Sequence, residues 1–245
     1  MAVRSVLEGG RIRKRNVALI LEAAEGVFAE SGFRGATTAS IAARAGLPKA
    51  NLHYYFRTKK ALYRAVLANI LELWLEAFDA IRADRDPAEA LTDYIAGKMY
   101  WSQTRPNASK VFANEMLHGA PILGGFLAKE LRARVEEKAA IIRHWISRGR
   151  MRPVDPVHLV FTIWAMTQHY ADFEVQVRAV LGRSRLSEAD YRAAAATITA
   201  LVLDGCGIAR ERKDTPRHAA APSRALTLPP KRRAPPSPAV GGRGA

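Results

Sequence analysis

Apolar positions recur three and four residues apart along most of this chain and do not alternate one by one, as a half-buried strand requires. Val17, Ile20, Leu21, Ala24, Val27 and Phe28 line one face and predict a helix with a single buried stripe. That helix should end at Ser31-Gly32, where glycine suits a left-handed cap. Thr37 or Thr38 caps a short helix to about residue 45, Gly46-Leu47-Pro48 makes a tight turn, and a second short helix covers about 49–55. Thr58 caps a long helix reaching about residue 83, and further helices are predicted near 87–104, 107–118, 121–150, 155–181 and 187–208. Pro87, Pro106, Pro121 and Pro156 fall near predicted starts, where a missing N–H costs little. The expected fold class is all-α, with a small N-terminal three-helix unit and a larger helical body.

Two short helices joined by a three-residue turn containing glycine form a helix-turn-helix layout over residues 37–56. Ile41, Ala45, Leu47, Leu52 and Phe56 can close a small core between them, with Ala42 small enough for close packing. That leaves Lys49, Ala50, Asn51, His53 and Tyr54 at the start and outer face of the second helix, the part that meets base edges in a major groove.

Charge sharpens this picture. The 245 residues carry 38 Lys and Arg against 23 Asp and Glu, a formal net charge of +15. The excess sits at the two ends: residues 1–60 hold 11 basic and 4 acidic residues, residues 210–245 hold 9 and 2, and the body is nearly neutral. Basic clusters attract polyanions by releasing condensed counterions, so double-stranded DNA is the first partner to consider. Residues 1–12 are expected to be a flexible basic arm, with Arg11, Arg13, Lys14 and Arg15 following the DNA backbone. Residues 210–245, with seven prolines and few large apolar residues, are expected to be a disordered basic tail. A single cysteine, Cys206, excludes an intrachain disulfide and a cysteine-based zinc cluster. No apolar run is long enough to span a bilayer and no signal peptide is apparent, so a cytoplasmic protein, nucleoid-associated when DNA-bound, is expected.

The same segment resembles the DNA-binding domain of the tetracycline-repressor (TetR) family. The resemblance rests on Gly32-Phe33, Thr37-Thr38, Ile41-Ala42, Ala45-Gly46-Leu47, Leu52-His53-Tyr54-Tyr55-Phe56 and Lys59-Lys60-Ala61-Leu62, with Leu47 in place of the usual Val and His53 in place of the usual Tyr. It implies a DNA-binding domain over 13–75 and a ligand-binding and dimerisation domain over 76–209. It also implies a homodimer on a palindromic operator. Thr38, Tyr55 and Lys59 are then expected to grip phosphates, and Lys49, Ala50 and Asn51 to face bases. Thr37, Ser40, Arg44, His53 and Tyr54 complete the DNA-facing set. The chemistry agrees: hydroxyl and ammonium groups suit phosphate oxygens, while Lys suits guanine, Asn adenine, and an Ala methyl the thymine methyl.

The body carries a closer likeness. The stretches Ile70-Leu71-Glu72-Leu73-Trp74-Leu75, Phe112 to Pro121 and Ile163 to Phe173 resemble the pyrimidine-utilisation regulator (RutR) subgroup of that family, whose effectors are uracil and thymine. The resemblance points to Trp74, Lys98, Asn114, Glu115, Trp164 and Gln168 as ligand-binding residues. Trp164 and Gln168 lie four apart and share a helix face; an indole is a flat wall, and a Gln amide matches an N–H beside a C=O. Read on residues alone, each has a plainer use. Tryptophans at helical spacing serve as core, and Glu115 serves as an ion-pair partner of Lys110, Lys98 or an arginine. The last two body helices are implied to pair with their copies in a four-helix bundle.

Against an enzyme, there is no His-Glu-x-x-His, no Gly-x-Ser-x-Gly and no phosphate-binding glycine loop, and the six histidines show no ligand spacing on one face. No catalytic residue, metal or cofactor is expected. The remaining alternatives are a regulator of this type answering a different apolar effector, and a non-specific DNA-compacting helical protein. The second would bind random and palindromic DNA alike.

Overall fold

A computed structural model describes residues 2–208, with side chains from Arg13 onward. The expected tail, 210–245, lies outside the described residues. Within them the chain is helical and contains no strand. The elements are α1 (Ala2–Gly35), α2 (Thr38–Arg44), α3 (Lys49–Tyr55), α4 (Lys59–Phe78), α5 (Pro87–Thr104), α6 (Pro106–Leu117), α7 (Gly124–Phe126), a π-helical turn (Leu127–Leu131), α8 (Arg132–Ser147), α9 (Pro156–Asp172), α10 (Glu174–Leu181) and α11 (Glu188–Gly205).

The capping signals act where the sequence places them. Thr37 and Ser40 form a reciprocal capping box at the start of α2, and Thr58 accepts from Ala61 N at the start of α4. Asp86 and Asp155 cap α5 and α9, each followed by proline at the first helical position. Four expectations needed correction. First, α1 includes residues 2–12, expected as an arm; Gly32 (φ 65, ψ 175) interrupts the helix where its glycine end is expected, and a further turn runs on to Gly35. Second, α4 stops at Phe78 instead of about 83. There Asp79 caps it and faces Lys138 (3.5 Å) and Arg134 (3.8 Å) on α8, and Ile81 turns fully into the core.

Third, Pro121 starts no helix. The amides of Ile122 and Leu123 are held by the Glu115 carboxylate at 2.6 and 3.0 Å, and Ala120 lies at φ 54, so regular helix begins only at Gly124. Fourth, the expected 155–181 helix breaks at Phe173. Asp172 accepts from Ser109 Oγ (2.5 Å) and Glu174 meets Lys110 Nζ (3.5 Å), both on α6. Residues two apart on a continuous helix point away from each other, so both can reach α6 only if the helix is interrupted between them.

Buried apolar side chains form two clusters. One joins α1–α4 through Ile20, Phe28, Ile41, Leu52, Leu62 and Leu67, and takes in Ala108 and Val111 of α6 and Leu123. The other joins α5, α8, α9 and α11 through Tyr94, Ile95, Ile142, Trp145, Ile163 and Ile198. Helix α4 belongs to both: its first turns pack under the helix-turn-helix, and Phe78 at its end packs in the body. One helix therefore runs from the surface reader to the interior of the body.

Candidate functional site

The helix-turn-helix has a buried inner face and an exposed outer face. Ile41 and Leu52 are fully buried and Ala42 nearly so. Ala45, Leu47 and Phe56 are half-buried at the rim. Lys49, Ala50, Asn51, His53 and Tyr54 are all exposed along α3, and Tyr54 is 74% accessible. Tyr55 is half-buried and its hydroxyl accepts from Asn16 Nδ2 (3.2 Å), which ties α3 to α1. Thr38 is half-buried, its hydroxyl bonded to no described residue. Thr37 and Ser40 are engaged in their capping box, and Arg44 donates to Glu30 Oε1 at 2.7 Å while lying against Gly26, where any Cβ would collide with it.

Lys59 is the exception. Its ammonium donates to the carbonyls of Phe33 (2.7 Å), Ala36 (2.9 Å) and Arg34 (3.3 Å) and lies 4.7 Å from the Phe33 ring centroid. An ammonium has three donors, and all three are occupied. Lys59 therefore closes the C-terminal end of α1, where carbonyls lack helical partners, and offers no spare donor to a phosphate in this arrangement.

Within the body, a small cavity of about 40 Å³ is lined by Leu71, Trp74, Leu75 and Phe78 of α4, Tyr94 and Lys98 of α5, Phe112 of α6, Leu131 of the π-helical turn, and Trp164 and Gln168 of α9. That space admits little more than a water or two. Trp164 Nε1 donates to the Tyr94 hydroxyl at 2.5 Å. This fixes the indole with its ring against the cavity and makes the phenol oxygen an acceptor, so the Tyr94 hydrogen is left with no partner among the described residues. Burial pushes the Tyr94 phenol above its ordinary range.

Lys98 is 4% accessible. Its ammonium sits 4.3 Å from the Trp74 ring centroid and has no hydrogen-bond acceptor among the described residues. Burial pulls its pKa down to about 7, against a partial lift from Asp172. Gln168 likewise makes no side-chain hydrogen bond to a described residue. The cavity is thus apolar in its walls and carries polar groups whose hydrogen-bonding capacity is unused, the pattern of a small-molecule site.

The outward side of α9–α11 exposes large apolar groups: Phe161, Val175, Val180, Leu181 and Leu201, all at least 46% accessible. A row of this kind on a water-facing surface marks a contact face.

Residues 20–66 match the family described as bacterial regulatory proteins, tetR family, and residues 67–209 match the C-terminal region of the YcdC-like proteins. The HTH-type transcriptional regulator RutR of Escherichia coli is 41% identical over 204 residues, covering 83% of this chain and 96% of that protein. This chain belongs to the TetR family. The TetR-family regulator PfmR of Thermus thermophilus (TM-score 0.59, 24% identity, 76% of this chain and 97% of that one) and the ketosteroid transcriptional regulator KstR2 of Mycobacterium tuberculosis (TM-score 0.63, 18% identity, 78% and 94%) share its fold. The protein is accordingly a DNA-binding transcriptional regulator and not an enzyme; TetR regulators dimerise and respond to small-molecule effectors.

In this TetR regulator four of the six expected ligand residues, Trp74, Lys98, Trp164 and Gln168, converge on the cavity, and two do not. Glu115 is 3% accessible, but its carboxylate is turned away from the cavity onto the amides of Ile122 and Leu123. Its nearby charge also helps burial raise the Tyr63 phenol. Its role is to hold the 119–123 turn against α4, and the ion-pair alternative is not realised either. Asn114 lies on the outer side of α6. Sequence reasoning missed Tyr94, Phe112 and Leu131. Only Tyr94 had a signal, a polar aromatic one turn before Lys98, which places both on one face of α5.

Proposed function

We propose that this regulator is a repressor that leaves a palindromic operator when uracil, thymine or a neutral ring of the same hydrogen-bonding pattern occupies the cavity of Trp74, Lys98, Trp164 and Gln168. Residues 13–75 then form the DNA-binding domain and 76–209 the effector-binding and dimerisation domain. Lys49, Ala50 and Asn51 read bases. Thr38, Tyr55 and the exposed His53 and Tyr54 meet the backbone and groove walls, while Thr37, Ser40, Arg44 and Lys59 hold the reading unit in shape. The apolar row on α9–α11 is covered by a second copy, which sets two reading helices on two half-sites.

The single observation that carries this reading is the convergence of two indoles, an amide and a buried amine on one small void. A pyrimidine-dione is flat and has two carbonyl oxygens with an N–H between them. Trp74 and Trp164 supply walls, Lys98 and Tyr94 donate to carbonyl oxygens, and the Gln168 amide pairs with an N–H beside a C=O. The void is too small for such a ring as it stands, so binding must spread α4 from α9. Because α4 also carries Leu62, Val66 and Leu67 under the helix-turn-helix, that spreading tilts the readers. Release follows only if the effector binds the spread form better; a difference of about 1–3 kcal/mol changes operator affinity roughly 5–150-fold.

Calorimetry with uracil, thymine and unrelated apolar compounds, combined with operator gel shifts, tests the reading. Uracil binding with loss of the shifted band, both abolished by Gln168→Ala with DNA affinity intact, is expected. Retained release in Gln168→Ala, or no binding of either pyrimidine, overturns the effector assignment.

A further inference from the structure

A ring that must enter so narrow a cavity needs a path, and the walls of the cavity are not equally strong. Toward α4 and α5 it is sealed by Phe78 and Tyr94, both nearly inaccessible and stacked on one another at 5.1 Å. Toward solvent between α6 and α9 the situation differs. An open groove of about 400 Å³ lies there, lined by Ala113, Asn114, Met116 and Leu117 of α6 together with Asp172 and Phe173. The groove and the cavity share two wall residues, Phe112 and Gln168. These two side chains face both spaces.

Three observations make this wall a gate. Gln168 is half-buried and its amide is bonded to no described residue, so no hydrogen bond must break for it to swing. Phe112 is half-buried and held through an edge contact with Trp74 (4.5 Å). The polar ties between this region and α9–α10 all lie before residue 112: Ser102 Oγ to Thr167 O (2.9 Å), Ser109 to Asp172 (2.5 Å) and Lys110 to Glu174 (3.5 Å). The C-terminal half of α6, residues 113–117, has no such tie to α9. At the mouth the Asp172 carboxylate accepts from Ser109 Oγ and Lys110 is paired with Glu174, so both side chains are held in place by partners.

We propose that the α6–α9 groove is the route by which the effector reaches the cavity, with Phe112 and Gln168 as its gate. The inference rests on the cavity being the effector site, and it adds a role for Asn114 as part of the vestibule. A route differs from a site in its kinetics: narrowing it slows arrival and departure by the same factor and leaves affinity alone.

Stopped-flow tryptophan fluorescence with uracil on the full-length protein measures both rates. Ala113→Phe, which fills the groove without touching the cavity, should slow association and dissociation about tenfold each with Kd within twofold of the parent. Met116→Ala, which widens the groove, should speed both. Unchanged rates in both variants place access elsewhere, for instance beneath the π-helical turn, and overturn the proposal. So does a change in Kd with association untouched, which makes the groove part of the site. A second probe is independent of the effector's identity: acrylamide quenching of the cavity indoles in a Trp101→Phe background. Quenching should fall with Ala113→Phe and rise with Met116→Ala even if no pyrimidine binds, and quenching unmoved by both variants rejects the route on its own.

Discussion

The reading face and the effector cavity are built on opposite principles. The first is twenty consecutive residues, 37–56, that bury one face and turn the other outward, with α2 capped by its own neighbours in sequence. The second draws on five elements spread from Leu71 to Gln168, and no two adjacent elements suffice to close it. The reader presents polar groups to water and needs a partner only to become specific. The cavity buries polar groups away from water and needs a partner to satisfy them. Stability should therefore respond in opposite directions when each is simplified.

The largest effect is expected at Lys98. Its pKa in the folded chain is about 7, below the ordinary lysine value of 10.5. A base whose folded pKa is depressed binds fewer protons folded than unfolded between those two values. Its penalty is thus fully present below about pH 7 and fades as pH rises toward the unfolded value. Lys98→Met should raise unfolding free energy by up to about 4 kcal/mol near neutral pH, with the gain shrinking toward high pH. Urea melts of both proteins at two pH values check this; a variant less stable than the parent at neutral pH rejects it. The same variant should lose uracil-induced release. In the parent, effector affinity should weaken as pH climbs past 7, because the ammonium makes a charge-assisted hydrogen bond to a carbonyl oxygen and the neutral amine only a weaker one.

A pair of variants on the reader should split what Lys98 joins. Asn51→Ala touches an exposed side chain and should leave stability within about 0.5 kcal/mol, while costing about 1–3 kcal/mol of operator affinity and little on random DNA. Lys59→Met removes three charge-assisted bonds to the end of α1 and should cost about 1–3 kcal/mol of stability. Thermal melts and competition gel shifts measure both. If Lys59→Met leaves the melting temperature unmoved yet halves DNA affinity at every sequence, Lys59 is a phosphate contact first.

What could be read from the sequence follows the same division. The helix-turn-helix was legible because its determinants are local: Thr37 and Thr58 at caps, Gly46 at φ 64 in the turn, and buried Ile41 and Leu52 at helical spacing. The cavity was legible only in part. Trp74, Trp164 and Gln168 stand out through the family resemblance, while nothing local says that Tyr94 turns to meet Trp164 or that Leu131 reaches the void through a π-helical turn. Glu115 was misplaced for the same reason. A buried carboxylate looks like a ligand contact until the backbone amides seven and eight residues later are seen to occupy it. The break at Phe173 came from α6, a partner remote in sequence.

The smallest effect tests how self-contained the reader is. Thr37 accepts from Ser40 N at 3.0 Å, and Ser40 Oγ accepts from the Thr37 amide at 3.2 Å, so two of the orphan donors at the start of α2 are met by residues three apart in sequence. Thr37→Ala should cost about 1 kcal/mol, and Thr37→Asn should restore most of it, because an amide oxygen caps as well as a hydroxyl. If the unit is local, calorimetric binding of uracil is unchanged in Thr37→Ala while melting shifts down. A loss of effector affinity would instead mean that α2 is felt at the cavity through α1 and α4. The reader and the cavity would then be one cooperative body, with the shared helix transmitting strain in both directions.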